Sequence, residues 1–233
     1  MRKLTYFLLI IVSTLILPGS LHANVGGIAL KEFPKQSLLF ESLDSNHPKL
    51  LGDIFLLPEG PFNHEEAAEI ISRIDTLPET LLRKIVENRI HVVLINEKLT
   101  EHPSARTLAG VTPRGYSTDK TWDDVPGIGG SKTVLVKIGH SEKGQGHSSV
   151  NLELHELAHS IDRHVYKKIR ENQDFLEIWK LERKNLFPGL PYFLHYPEEY
   201  FAETFAMYYL DGEYRKRLKN VAPETYRFIR SLE

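Results

Sequence analysis

Apolar and polar positions fall into blocks along this chain, and each block predicts an element. Residues 4–17 (LTYFLLIIVSTLIL) are almost wholly apolar behind Arg2 and Lys3, and Pro18-Gly19 ends the run. A short positive start, an apolar stretch below bilayer-spanning length and a small residue at Ala23 together read as a secretory signal peptide over 1–23. The mature chain, 24–233, is expected to be one domain, with no internal repeat and no linker. Residues 24–50 show no period and are expected to be an irregular lead-in. The runs at 50–57 (LLGDIFLL), 90–95 (IHVVLI) and 133–138 (TVLVKI) predict strands. Asn63, with Glu66 three residues on, predicts a helix start by a capping box. Ala67, Ala68, Ile70, Ile71 and Ile74 give that helix its apolar stripe, and a second helix follows Pro78. Residues 97–131 are rich in turn residues, and 139–147 form a Gly-rich loop. From about 150 onward the spacing is helical, over 150–167, 172–185, 197–210 and 223–231.

Composition narrows the function classes. With Cys 0 there is no disulfide framework, no cysteine zinc site and no thiol nucleophile. A net charge of -2 gives no global attraction to nucleic acid or to an anionic membrane. After signal removal the expectation is a secreted, extracellular monomer without stable membrane association.

The chemistry concentrates between residues 155 and 203. His155-Glu156-Leu157-Ala158-His159 is an H-E-x-x-H motif within the 150–167 helix. Successive helical residues turn by about 100°, so the two imidazoles lie about 40° apart on one face and can share a metal. Glu156 lies off that face and can serve as general base toward a water in the open metal position. A catalytic zinc needs a third protein ligand. Asp162 is the local alternative, though three residues after His159 it can instead hold a ligand histidine in place. Downstream, Pro197 marks a helix start, and Glu199 and Glu203 share a face at i, i+4 while Glu198 and Glu203 do not. One of the Glu199–Glu203 pair can bind the metal and the other can orient a ligand histidine. His140 and His147 flank the Gly-rich loop and are expected to face water, and Ser160 has no nucleophile context.

The segments HELAHSID, YPEEYFAETFAMYYL and APETYRFI resemble the C-terminal protease domain of anthrax lethal factor. The resemblance is closer to its small secreted relatives, the bacterial Pro-Pro endopeptidases, and runs from about residue 60 to the end. It is strongest across GVTPRGYSTDKTWDDVPGIGG, HSSVNLELHELAHSID and YPEEYFAETFAMYYL. It implies an α+β, zincin-like fold: a small sheet with the motif helix, and a helical C-terminal part that supplies a glutamate ligand. It implies one zinc per chain held by His155, His159 and Glu199, with Glu156 as base, Tyr192 as donor to the oxyanion, and Glu203 behind a ligand histidine. The implied substrate is a proline-rich protein cut between two prolines, with surface adhesins as one target class. A toxin-like protease of the same fold and a non-enzymatic metal-stabilised module are the competing readings.

Two departures bear on the pocket. Where a Pro-Pro endopeptidase carries Lys-Gly-Trp after Thr-Pro, this chain has Arg114-Gly115-Tyr116. The resemblance pairs that cation with Glu198 and packs that aromatic on the substrate prolines. Gly129, Gly130 and Ser131 fall in the loop beside the scissile bond, and Lys132 is an extra residue there. Gly129 and Gly130 are expected to let the substrate backbone approach closely, and an extended substrate is expected to add to the edge of the 133–138 strand.

Overall fold

The computed structural model describes residues 26–115 and 119–233. The signal segment and Tyr116 lie outside the described residues. Five strands form one sheet: β1 (Ile28–Ala29), β2 (Phe55–Leu57), β3 (His91–Ile95), β4 (Gly127–Ile128) and β5 (Thr133–Lys137), in the spatial order β1-β2-β3-β5-β4. β2, β3 and β5 run parallel, and the outer strands β1 and β4 are antiparallel to their neighbours. Four helices belong to the N-terminal half: α1 (Leu38–Ser42), α2 (Pro48–Ile54), α3 (His64–Asp75) and α4 (Glu79–Glu87). The C-terminal half holds α5 (Leu152–Ser160), α6 (Gln173–Leu186), α7 (Pro191–His195), α8 (Pro197–Tyr209), α9 (Gly212–Val221) and α10 (Pro223–Arg230). This is a mixed α+β architecture with a small sheet and many helices. Among the described residues no helix is long and apolar enough to cross a membrane.

The period-2 geometry of β3 explains its unbroken apolar run. Val92 and Leu94 enter the main core, while Val93 and Ile95 point the other way into a smaller cluster with Leu99, Ala105 and Leu135. A central strand covered on both faces has no need of polar positions. The expected strand at 50–57 is only half a strand. Pro48 occupies the first turn of α2, whose Leu51 and Ile54 are buried one turn apart, and β2 begins only at Phe55. The lead-in is also more ordered than its composition suggests, since it forms β1 and α1. Asn63 does cap α3, its side chain accepting from the Glu65 and Glu66 amides, while the Glu66 carboxylate lies against Gly139.

The motif helix α5 starts at Asn151, whose fully buried side chain accepts from Leu154 N–H at 3.0 Å. Leu154, Leu157 and Ala158 face the core, and α5 packs on α8. The helix does not continue evenly to 167. After Ser160 the chain widens into a π turn over Ile161–Val165, with Tyr166 N–H donating to the Ile161 carbonyl at 3.1 Å. On its other side α5 carries β4. A Cβ on Gly127 would meet Leu152 at 2.9 Å, and one on Gly129 would lie 1.8 Å from the Glu156 carbonyl oxygen.

That last contact is tighter than any side chain can relieve, because the opposing atom is helix backbone. Gly129→Ala is therefore expected to cost about 3 kcal/mol or more, at the upper end of overpacking penalties. Gly60→Ala, which meets nothing within 4 Å, serves as control. Equal melting temperatures for the two variants in thermal unfolding would show that the residue following β4 is not pressed on α5.

Candidate metal centre and active-site cleft

Two helices bring four ionisable side chains together in the lining of a cleft of about 960 Å³. His155 and His159 come from α5, and Glu199 and Glu203 from α8, where Pro197 sets the helix start. Glu199 Oε2 lies 3.4 Å from His155 Nε2 and 3.3 Å from His159 Nε2. One donor atom from each of His155, His159 and Glu199 lies within 4.8 Å of the others. Glu203 backs this group: its Oε1 accepts from Val150 N–H and its Oε2 faces His155 Nδ1, both at 3.1 Å. With the proton held on Nδ1, the Nε2 lone pair of His155 points at the other donors.

The local field favours positive charge at these donors. Burial disfavours a charged His155, but Glu199 and Glu203 outweigh it and pull the ring up to about 10. Burial likewise opposes ionised Glu199, yet His155 and His159 hold its carboxyl well below the usual range. A divalent cation satisfies the same field with more charge than a proton.

The remaining predicted residues separate into those the cleft gathers and those it does not. Glu156 is half-buried and lines the cleft, as does Tyr192, carried by the short helix α7. Burial first, then the Glu199 carboxylate, pushes the Tyr192 phenol well above its ordinary value, so its hydroxyl stays a proton donor at neutral pH. Arg114 donates to Glu198 at 2.8 Å and also to Glu199 at 3.0 Å, and its guanidinium stacks 3.9 Å from the Tyr196 ring centre. The Tyr196 platform had no signal in the sequence beyond its place before Pro197.

Four expectations need correction. Asp162 does not hold a ligand histidine; its carboxylate takes the Arg170 guanidinium and, at 3.1 Å, the Arg170 N–H, tying down the turn after α5. Gly129 lines the cleft, but its missing side chain makes room for the Glu156 backbone, not for a substrate. Ser131 turns its hydroxyl onto its own turn, bonding the Thr133 carbonyl at 2.6 Å and the Thr133 N–H at 3.0 Å. The 133–138 strand has no free edge, because β5 is flanked by β3 and β4; the edge beside the motif helix is β4. Gly130, at φ +83°, lines the cleft and gives its N–H to the Ser160 hydroxyl at 2.9 Å. Ser160 is thus a buried acceptor that fixes the loop, a role its position after His159 did not advertise. The loop histidines are likewise engaged. His147 Nε2 bonds the His140 carbonyl at 2.8 Å, and His140 Nδ1 bonds the Gln145 carbonyl at 2.6 Å.

Comparison with known proteins gives the chain a family. The family model for the anthrax toxin lethal factor N- and C-terminal domain matches residues 42–232. A Pro-Pro endopeptidase of Clostridioides difficile is 41% identical over 183 residues, covering 78% of this chain and 82% of that protein. One from Paenibacillus alvei is 38% identical over 184 residues, covering 78% and 84%. The solved structure of the Pro-Pro endopeptidase PPEP-2 from Paenibacillus alvei superposes with a TM-score of 0.75 at 38% identity, covering 79% of this chain and all of that one. The chain therefore belongs to the Pro-Pro endopeptidases, within the wider anthrax toxin lethal factor domain family.

Proposed function

We propose that this chain is a secreted zinc endopeptidase that hydrolyses proline-rich proteins between two prolines. In this reading 1–23 is removed as a signal peptide and 24–233 forms one zincin-like domain. The observation that carries the proposal is the convergence of His155, His159 and Glu199 in a cleft that Glu156 and Tyr192 also line. The donor separations of 3.3 and 3.4 Å support zinc, since about 3.3–3.4 Å is the edge of a tetrahedron drawn with zinc bonds of about 2.0–2.1 Å. Zinc held there would supply Lewis acidity and lower the pKa of a water in its open position.

The chain's own residues do the rest. Glu156 takes the proton of the attacking water and delivers it to the leaving nitrogen. Tyr192, held protonated, donates its hydroxyl to the carbonyl oxygen as charge builds there. Glu203 keeps His155 in the ligating tautomer. A substrate segment lies along the β4 edge and Gly130. Proline after the scissile bond has no N–H to give to such an edge, so recognition rests on ring packing and on a chain already stiff before it docks. The resemblance assigns that packing to Tyr116, with Arg114 and Glu198 fixing its loop. Surface adhesins rich in proline are the target class this chemistry suits.

The metal is tested directly. Purified mature protein should contain about one zinc per chain, and a chelator should abolish peptide cleavage. His155→Ala and Glu199→Ala should lose the metal, and Glu198→Ala should keep it. Glu203→Ala should weaken zinc binding about 10–100-fold in a chelator competition. Full cleavage in excess chelator would overturn the zinc assignment.

The two catalytic roles separate by kinetics. Glu156→Gln should retain zinc while turnover falls by several orders of magnitude. Tyr192→Phe should retain zinc and KM and lose about 10²–10³ in kcat, the usual loss of one oxyanion donor. A Tyr192→Phe variant altered only in KM would make the tyrosine a binding residue.

Specificity is read from matched peptides. A peptide with central Pro-Pro should be cut, and versions with Ala on either side of the bond should be cut poorly. Equal cleavage of Pro-Pro and Ala-Ala peptides would remove the proline specificity and leave the metal chemistry standing.

A further inference from the structure

Tyr192 stands on a helix that cannot hold itself. The helix α7 has five residues, well below the length at which an isolated helix persists. Its successor makes matters worse. In a continuous helix the Phe193 carbonyl would accept from the N–H of residue 197, but that residue is Pro197, which has none. The junction of α7 and α8 therefore leaves a buried carbonyl without a helical donor.

Side chains of α6 fill the gap. Trp179 Nε1–H donates to the Phe193 carbonyl at 3.0 Å in a buried bond. Arg183, one turn further along the same face, donates to the next carbonyl, that of Leu194. The two donors are themselves joined, the Arg183 guanidinium lying 4.0 Å from the Trp179 ring centre. On the opposite side Gly115 touches the Tyr192 ring so closely that a Cβ there would lie 2.7 Å from it. The ring of Tyr192 is thus held between a glycine and a helix whose last turn is clipped from outside.

We propose that Trp179 and Arg183 are positioning residues that hold the Tyr192 hydroxyl in place for the hydrolytic step, through the Phe193 and Leu194 carbonyls. Neither residue lines the cleft. This inference rests on the reading of Tyr192 as the oxyanion donor. A displacement of that hydroxyl by a fraction of an ångström weakens the bond it makes only as charge develops, so the loss should fall on kcat.

The experiment is a double-mutant cycle in the zinc-loaded enzyme with a Pro-Pro peptide. Trp179→Phe keeps the ring and removes the N–H; Arg183→Met keeps the stem and removes the guanidinium. Each should lower kcat about tenfold, with KM within about twofold and zinc content unchanged. In a Tyr192→Phe background the same substitutions should lower kcat no further, because there is no hydroxyl left to place. Thermal melting of all variants identifies any that fail to fold, and two independent substitutions keep the cycle readable if one does. Equal losses with and without the tyrosine hydroxyl would make the clamp merely structural and refute the proposal, as would normal kcat in both single variants. If Tyr192→Phe alone leaves kcat unchanged, the donor role of Tyr192 falls first, and the clamp with it.

Discussion

Glu203 makes two bonds, to Val150 N–H and to His155 Nδ1, and they anchor the region where α5 crosses α8. The two helices otherwise send apolar residues such as Leu154, Leu157, Phe201, Phe205 and Ala206 into one common core. Gathering four ionisable groups in such a place, three of them buried and His159 partly so, is costly unless each finds a partner of opposite character. Here the pairing is complete: Glu203 faces His155, and Glu199 faces both histidines and Arg114. The pairing is also shared: His155 faces both carboxylates and Glu199 faces three cations, so loss of His155 leaves Glu203 without its cation and loss of Glu199 leaves His159 without its carboxylate. The constraint that orients the donors is therefore the same one that makes the two helices compatible at all.

Much of this was legible in the chain because it rests on helical periodicity. The i, i+4 spacings His155–His159 and Glu199–Glu203 state which side chains share a face, and Pro197 states where the second helix begins. The central strands were legible for the same reason, since β-branched runs bounded by turns have few other uses. What stayed hidden depends on contacts between segments distant in sequence. Gly129 reads as a place where a substrate backbone can approach, but its reason is the backbone of Glu156, 27 residues on. Asp162 stands where a carboxylate could support His159, and only the path of the π turn sends it to Arg170. The edge strand β4 is two residues long and carries a glycine, too little pattern for any period to register. The 50–57 run misleads because β2 follows α2 without a break, so one apolar block serves two elements.

Arg114 ties the segment before Tyr116 to the donor helix. One guanidinium nitrogen reaches both Glu198 and Glu199, so the loop that flanks the cleft and the acid that faces both histidines share a contact. A lysine at this place would offer a point charge but no planar face for the Tyr196 ring. Arg114 thus combines two roles, a cation shared by two carboxylates and a planar partner for an aromatic ring on the same chain.

The π turn after Ser160 has a consequence for how the whole molecule is tied together. Widening the helix there rotates the following residues out of phase with His155 and His159, so α5 alone cannot furnish three donors on one face. The third must come from another segment, and Glu199 lies roughly 40 residues further along. A metal ion bound to all three would close that stretch into a ring. In a chain without cysteine it would act as the cross-link that a disulfide provides elsewhere, constraining the segment between α5 and α8 in the unfolded chain as well as in the folded one.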